Sequence, residues 1–468
     1  MLHATLRRGQ PARPSIVVIA AQEARLAEHE DPAEPAHAPT LGRALRRLHV
    51  KRFERPAVAL ASICFFCVLA AYYVIRPVRD QLSAAVGSPS LPVFYTATFL
   101  ATLALTPLFG MLVARFPRRK FVPFVYLFFI AGMLAFVSLF RVQDEIGARV
   151  LGSVFFVWVS VFNLFVVAVF WSFMADLFDN DQAHRLFPII AVGGPLGAIA
   201  GPTLTKALVF LVGVPGLLAV SAALLAAAIV CIALLLGWSR RHPVDGEQRE
   251  ERVIGGGIFA GAVETVRSPL MQRFAMLMLL GDCVGTVIYA LLADYSHANF
   301  HSAEERTNFS AGIDLYANVL QVGLQLLVTR ELMVWFGVKA AMVMDGTVKA
   351  LMLLGLIVIG DPWLVALAVV TRASLYGILK PATDSLYTRV PAETRYKAKN
   401  FIDTAVWRFG DLVITTSFNL LKELNVALAG FAALSMLAAG GSSLLGWRVA
   451  RELEAQDARA TQAADAAR

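Results

Sequence analysis

Apolar runs long enough to cross a bilayer as helices, about 20 residues each, recur along the chain. They fall at roughly 56–78, 92–114, 121–140, 150–175, 187–211 and 215–237, and again at 270–293, 311–335, 338–359, 362–386, 398–421 and 425–447. A polar stretch from Trp238 to about Ser268 parts them into two groups of six. Within the fifth run Gly193, Gly197 and Gly201 recur at helical spacing, which predicts a face where two helix backbones meet closely. The eighth run is interrupted by Asp314, Gln321 and Gln325, and so reads as a helix facing a polar cavity.

Composition agrees with a membrane class. Hydrophobic residues make up 57% and charged residues 16%, against about 25% charged in soluble domains. The net charge of +8 sits in particular loops: 115–120, the central linker, 389–399 and both ends. With twelve spans these loops share one side, which the positive-inside rule makes cytoplasmic. That pattern argues for orientation in a lipid bilayer and not for nucleic-acid binding. The expected organisation is a basic N-terminal segment over 1–55, a six-helix bundle over 56–237, a cytoplasmic linker over 238–269, a second bundle over 270–447 and a cytoplasmic tail over 448–468. Residues 1–40 read as disordered or as an over-extended start. Cys64, Cys67, Cys231 and Cys283 all lie in apolar runs, so even the CxxC pair reads as packing.

Charged residues inside the spans carry the candidate chemistry, because each costs at least about 2.5–3.5 kcal/mol at mid-membrane. Arg372 lies near the middle of span ten and Arg408 near the middle of span eleven, while Arg76 and Arg79 close span one, followed by Asp80. Arg372, Tyr376 and Lys380 are spaced to share a helix face, with no acidic partner for Arg372 within one turn. Arginine forks suit phosphate, and Tyr72, Tyr376 and Trp407 are rings for stacking. These residues read as a basic cavity for a small anionic solute. Local pairing is the competing reading for Arg408 with Asp411 and for Asp345 with Lys349. For Arg76 and Arg79 the competing reading is a place at the membrane edge. Asp176 and Arg185 after span four, and Asp384 and Arg395 after span ten, are candidate gate residues, with solvated loop charges as the alternative. There is no HExxH, no P-loop and no pair of intramembrane carboxylates at a motif spacing. No enzyme activity, cofactor or metal is expected.

The two groups of six also echo each other. Spans four and ten both exit through an aspartate into a basic loop, and the 110–120 connection resembles that after span eight. Parallel six-helix repeats with substrate bound between them are the plan of the major facilitator superfamily. GMLVARFPRRK (110–120) resembles its loop motif, with Ala114 and Arg115 where the acid is usual, and GAIAGP (197–202) resembles the GxxxGP core of its antiporters' fifth helix. Three segments are similar to the ATP/ADP translocases of plastids and intracellular bacteria and to their free-living relatives. They are YYVIRPVRD (72–80), VFWSFMADLFDNDQAHRLFPI (169–189) and LKPATDSLYTRVPAETRYKAKNFIDTAVWRFGDL (379–412). The resemblance implies nucleotide exchange, or import of nucleotides and related anions. It puts Arg79 where that family has lysine, Val159 and Tyr289 where it has acids, and Asp411 where it has a second lysine. The function expected is a secondary, alternating-access transporter of nucleotides or phosphorylated anions, a monomer in the bacterial inner membrane with both termini cytoplasmic. The alternative is a proton-coupled exporter of small organic compounds, which a basic cavity counts against.

Overall fold

The computed structural model describes residues 50–115, 118–142, 147–242, 260–390, 398–399 and 401–466. The chain falls into two units, 1–52 and 53–468, and only residues 50–52 of the first are described. The expected disorder of residues 1–40, the charges of the central linker beyond 242, and Arg395 lie outside the described residues.

Among the described residues every regular element is a helix. The helices are α1 (Arg55–Val86), α2 (Leu91–Arg115), α3 (Arg118–Arg141) and α4 (Ala148–Leu177), then α5 (180–212) and α6 (214–241). A short helix, Ala260–Arg267, precedes α7 (Pro269–Asn299). The second group continues with α8 (303–336), α9 (338–359), α10 (361–387), α11 (401–423) and α12 (Leu428–Ala466). Two of the reversals are single residues. At Gly213 φ is +67° and at Gly337 it is +76°, a region open to glycine, so the helix direction changes there without a loop. With these breaks the described residues form twelve long helices, an all-helical membrane fold.

α1 is 32 residues long, about 48 Å at 1.5 Å per residue, which exceeds the roughly 30 Å hydrocarbon core. The apolar pattern ends it at 78, yet the helix runs on to Val86. Arg76 and Arg79 are therefore inside the helix and largely buried. The apolar window stopped early because these two charges and Asp80 lower its hydropathy. α8 likewise starts at Ala303, earlier than its apolar run, on a capping box in which Ser302 and Glu305 satisfy each other's backbone N–H.

The glycine face of α5 packs on α1. A Cβ at Gly193 or Gly197 would meet backbone of Ser62, Phe66 or Ala70, and one at Gly201 would meet the Cβ of Tyr73 at 2.6 Å. This is the close backbone approach that small residues four apart permit. Facing out are large apolar side chains such as Leu100, Phe124, Leu211, Leu327 and Val358, as a lipid-facing surface requires. All four cysteines are free thiols.

Candidate functional site

Odd-numbered helices of both groups run in one direction and even-numbered helices in the other. The N-termini of α1 and α7 mark one end of the bundle, here the basic end, and Val86 and Asn299 mark the far end. Between the two groups lies a cavity of about 490 Å3. That size is within the range of small-ligand sites, about 300–1,000 Å3. α1, α2 and α4 line it from one group and α7 to α11 from the other.

Arg76, Arg79, Arg372, Tyr376, Arg408 and Asp411 of the expected site all line this cavity. Asp80 does not. It accepts from Arg79 at 2.7 Å and from the Tyr289 hydroxyl at 3.0 Å, and lines a smaller pocket nearer the far end. Lys380 is also displaced from the cavity lining. It bonds Asp403 at 2.8 Å and lies 3.7 Å from Asp384. The cause is local: residues 375–379 form a π-helical turn, which shifts the register between Tyr376 and Lys380. An α-helical stripe through Arg372, Tyr376 and Lys380 is thereby broken.

Two further π-helical turns lie at Gln325–Thr329 and Ile402–Val406. The first is bonded to the turn in α10. Gln325 donates to the Tyr376 carbonyl at 3.1 Å and Thr329 to the Gly377 carbonyl at 2.6 Å. Side chains of α8 thus satisfy backbone groups that the wide turn leaves without a regular partner. The polar residues that interrupt span eight divide their work accordingly, with Gln321 on the cavity and Gln325 on α10.

Arg372 is not unpartnered. Its Nη1 donates to Asp314 of α8 at 2.5 Å, and Asp314, 1% exposed, also lies 3.7 Å from Arg76 Nε. Sequence spacing within one turn cannot register a partner 58 residues away. The same holds across the site. Arg408 meets Asp411 at 3.1 Å, and Lys349 meets Asp345 at 2.9 Å while also donating to the Gly281 carbonyl. Both local pairings read from the sequence are present, and Ser374 further bonds Asp345. The cavity is therefore lined by paired charges and is not simply basic.

Asp282 and Thr286 were not read as site residues from the sequence. Asp282 of α7 lines the cavity, and the Thr286 hydroxyl lies 2.9 Å from Asp411 and 3.4 Å from Asp282. The fold thus brings together a pair of intramembrane carboxylates that no sequence spacing announced. A lone aspartate at the centre of span seven was the available signal. Asp314 was legible as an interruption of span eight, but not as the partner of two arginines. Aromatic rings complete the walls: Tyr376 stacks on Trp407 at 6.4 Å, Arg79 lies over Phe156 at 4.8 Å and Arg76 over Tyr73 at 5.6 Å.

Of the gate candidates, Arg185 bonds Glu54 at 3.1 Å and so ties the start of α5 to the start of α1. Asp384 lies 2.9 Å from Lys399. Asp176 sits in the last turn of α4. At the far end the bonds cross between the groups. Ser88, in the turn after α1, donates to Asp294 of α7 through its backbone N–H and hydroxyl, both at 2.9 Å. Asn419 of α11 donates to the Ser88 carbonyl at 2.9 Å, and Lys422 of α11 donates to Asp294 at 2.6 Å within the second group.

The profile of the Major Facilitator Superfamily matches residues 58–413. Among solved structures, the nucleoside transporter NupG is similar at a TM-score of 0.58 and 14% identity, over 85% of this chain and 98% of that one. A bacterial homologue of the iron transporter ferroportin, in an inward-facing state, is similar at 0.59 and 14%, over 85% and 98%. A POT family transporter in complex with a thioalcohol-conjugated peptide is similar at 0.57 and 12%, over 85% and 96%. At these identities the likeness shows the fold alone. No curated protein matches the chain.

Proposed function

This chain belongs to the Major Facilitator Superfamily, and from that membership we propose a secondary active transporter of nucleotides or related phosphorylated anions. The carrying observation is the convergence of arginines from both groups on one cavity: Arg76 and Arg79 from α1, Arg372 from α10 and Arg408 from α11. Planar forks on opposite walls fit a polyanion, with Tyr376 and Trp407 stacked beside them as a platform for a base. The similarity of segments 72–80, 169–189 and 379–412 to the ATP/ADP translocases supports the same class. The counter-carboxylates do not remove the argument. A polyanion that displaces a paired carboxylate from an arginine exchanges one ion pair for another, so the arginines keep partners when the site is empty and remain open to anions.

In this reading the bundles 56–237 and 270–447 rock about the cavity, Asp176, Arg185, Asp384 and Arg395 belong to the basic-end gate, and that end is cytoplasmic in the bacterial inner membrane. The carrier works as a monomer, driven by exchange or by an ion gradient. A second reading, proton coupling, draws on Asp282 and Asp411, which share the Thr286 hydroxyl. The test is a thermal-shift screen of purified protein. A ligand at 100 times its Kd stabilises by about 2.7 kcal/mol. ATP, ADP and other phosphate esters should raise the melting temperature and lipophilic cations should not. A shift with cations and none with any phosphate ester would favour the exporter.

A further inference from the structure

The Arg76, Asp314 and Arg372 side chains stand between two spaces. Arg76 and Arg372 line the central cavity of about 490 Å3. Beyond them, toward the far end, is a pocket of about 50 Å3 whose lining includes Asp314, Arg372, Asp80 and Ser296. Arg372 faces both spaces. The triad is also under-bonded. Arg76 Nε, Arg372 Nη2 and Asp314 Oδ2 are buried and have no hydrogen-bond partner. One carboxylate serves two guanidinium groups, so one positive charge has no carboxylate of its own. Charged donors left unused beside a cavity are what an anionic oxygen would satisfy.

The two contacts of Asp314 differ in kind. Asp314 on α8 and Arg372 on α10 belong to the same group of six and meet at 2.5 Å. Arg76 on α1 belongs to the other group, and its contact is the looser one at 3.7 Å. The weak arm of the triad is therefore the arm that ties the two groups together.

We infer that Asp314 is a resident counter-anion, which an anionic oxygen of the substrate displaces from Arg76, and that this exchange releases the partition toward the far end. The inference rests on the reading of the central cavity as the substrate site. An anion on Arg76 replaces a tie between the groups with a tie to the ligand, while Asp314 keeps Arg372. A ligand shifts a conformational balance only through its different affinity for the two states, and this exchange supplies the difference. The chemistry is that of a phosphate or carboxylate group, which the arms of the test separate.

The test places a reporter cysteine beyond the partition. Ser296, 2% exposed, is replaced by cysteine in purified protein whose four native cysteines are changed to alanine. Labelling is followed with a maleimide on a polyethylene glycol too bulky to pass the central cavity. Adding Asp314→Asn should speed labelling about tenfold without any ligand, since an amide cannot hold Arg76 as an ion. Inorganic pyrophosphate should speed labelling in the Asp314 parent but not in Asp314→Asn, and succinate tests whether a carboxylate suffices. Equal labelling of parent and a monodisperse Asp314→Asn protein would overturn the inference. Should Asp314→Asn not fold, the charge-restoring pair Arg76→Gln with Asp314→Asn replaces it. Slow labelling of that pair, or failure of both variants to fold, would make the triad a structural clasp and the inference wrong. The ligand-free arm decides the partition by itself, whereas pyrophosphate that changes neither melting nor labelling counts against the anion reading alone.

Discussion

Lys422 donates to Asp294 at 2.6 Å, and through Asp294 this bond joins α11 and α7 to the turn that follows α1. The Ser88 bonds to Asp294 cross between the two groups of six at the far end, whereas the Lys422–Asp294 pair lies within the second group. The Asp294 side chain is partly exposed, at 28%, so the Ser88 hydrogen bonds it accepts across the groups contribute about 1 kcal/mol. That still changes a two-state ratio about fivefold. Asp294→Ala should therefore raise the far-end-open population without unfolding the protein. Spin labels at Val93 and Leu424, both exposed near that end, report it as a longer inter-label distance. An unchanged distance distribution would show that other contacts hold the closure.

Arg372 tests how the buried charges are balanced. Arg372→Ala leaves Asp314, 1% exposed, only its looser contact to Arg76 at 3.7 Å, and should cost up to about 3–5 kcal/mol, seen as early melting of the ligand-free protein. Removing the whole triad, Arg76→Ala with Asp314→Ala and Arg372→Ala, should recover most of that loss. A single variant that melts like the parent would mean that the ion pair is not a buried structural contact.

These charges also mark where the sequence is legible. Spacing along one helix is local, so Asp345 with Lys349 and Arg408 with Asp411 were both readable at three or four residues' separation. The bond from Arg372 to Asp314 depends on how α8 packs on α10, and nothing near Arg372 signals it. Lys380 left the expected stripe because a π-helical turn has no spacing signature of its own. Span number was legible because hydropathy is a property of each run taken alone, and charges inside those runs pointed to Arg76, Arg79, Arg372, Arg408 and Asp411 on the cavity wall. The reach of α1 to Val86 was not, since hydropathy falls where charges are buried inside protein.

The glycine face makes a stability prediction. Gly197→Val places a side chain against the Phe66 and Ala70 backbone, where neither helix has room to give. Overpacking of this kind costs about 1–3 kcal/mol. Gly237→Ala, with nothing within 4 Å of the added Cβ, should be neutral or slightly stabilising, by up to about 1 kcal/mol. Thermal melts of the two purified variants should differ in this order, and equal melting would show that α1 and α5 do not pack closely in the membrane.

Orientation is tested by cysteine accessibility in intact cells, using a variant without the native cysteines. Gly213 sits at the reversal between α5 and α6, and Asp361 begins α10. Cysteines there should react with an impermeant thiol reagent from outside, while cysteines at Arg118 and Arg395 should not. Labelling at Arg118 would invert the proposed topology.

The most direct test of the nucleotide reading is counterflow in proteoliposomes containing the purified protein. Vesicles preloaded with unlabelled ADP should take up labelled ATP faster than protein-free vesicles, and Arg79→Gln should abolish the difference. Uptake indistinguishable from protein-free vesicles for every nucleotide tried, alongside transport of a lipophilic cation, would contradict it.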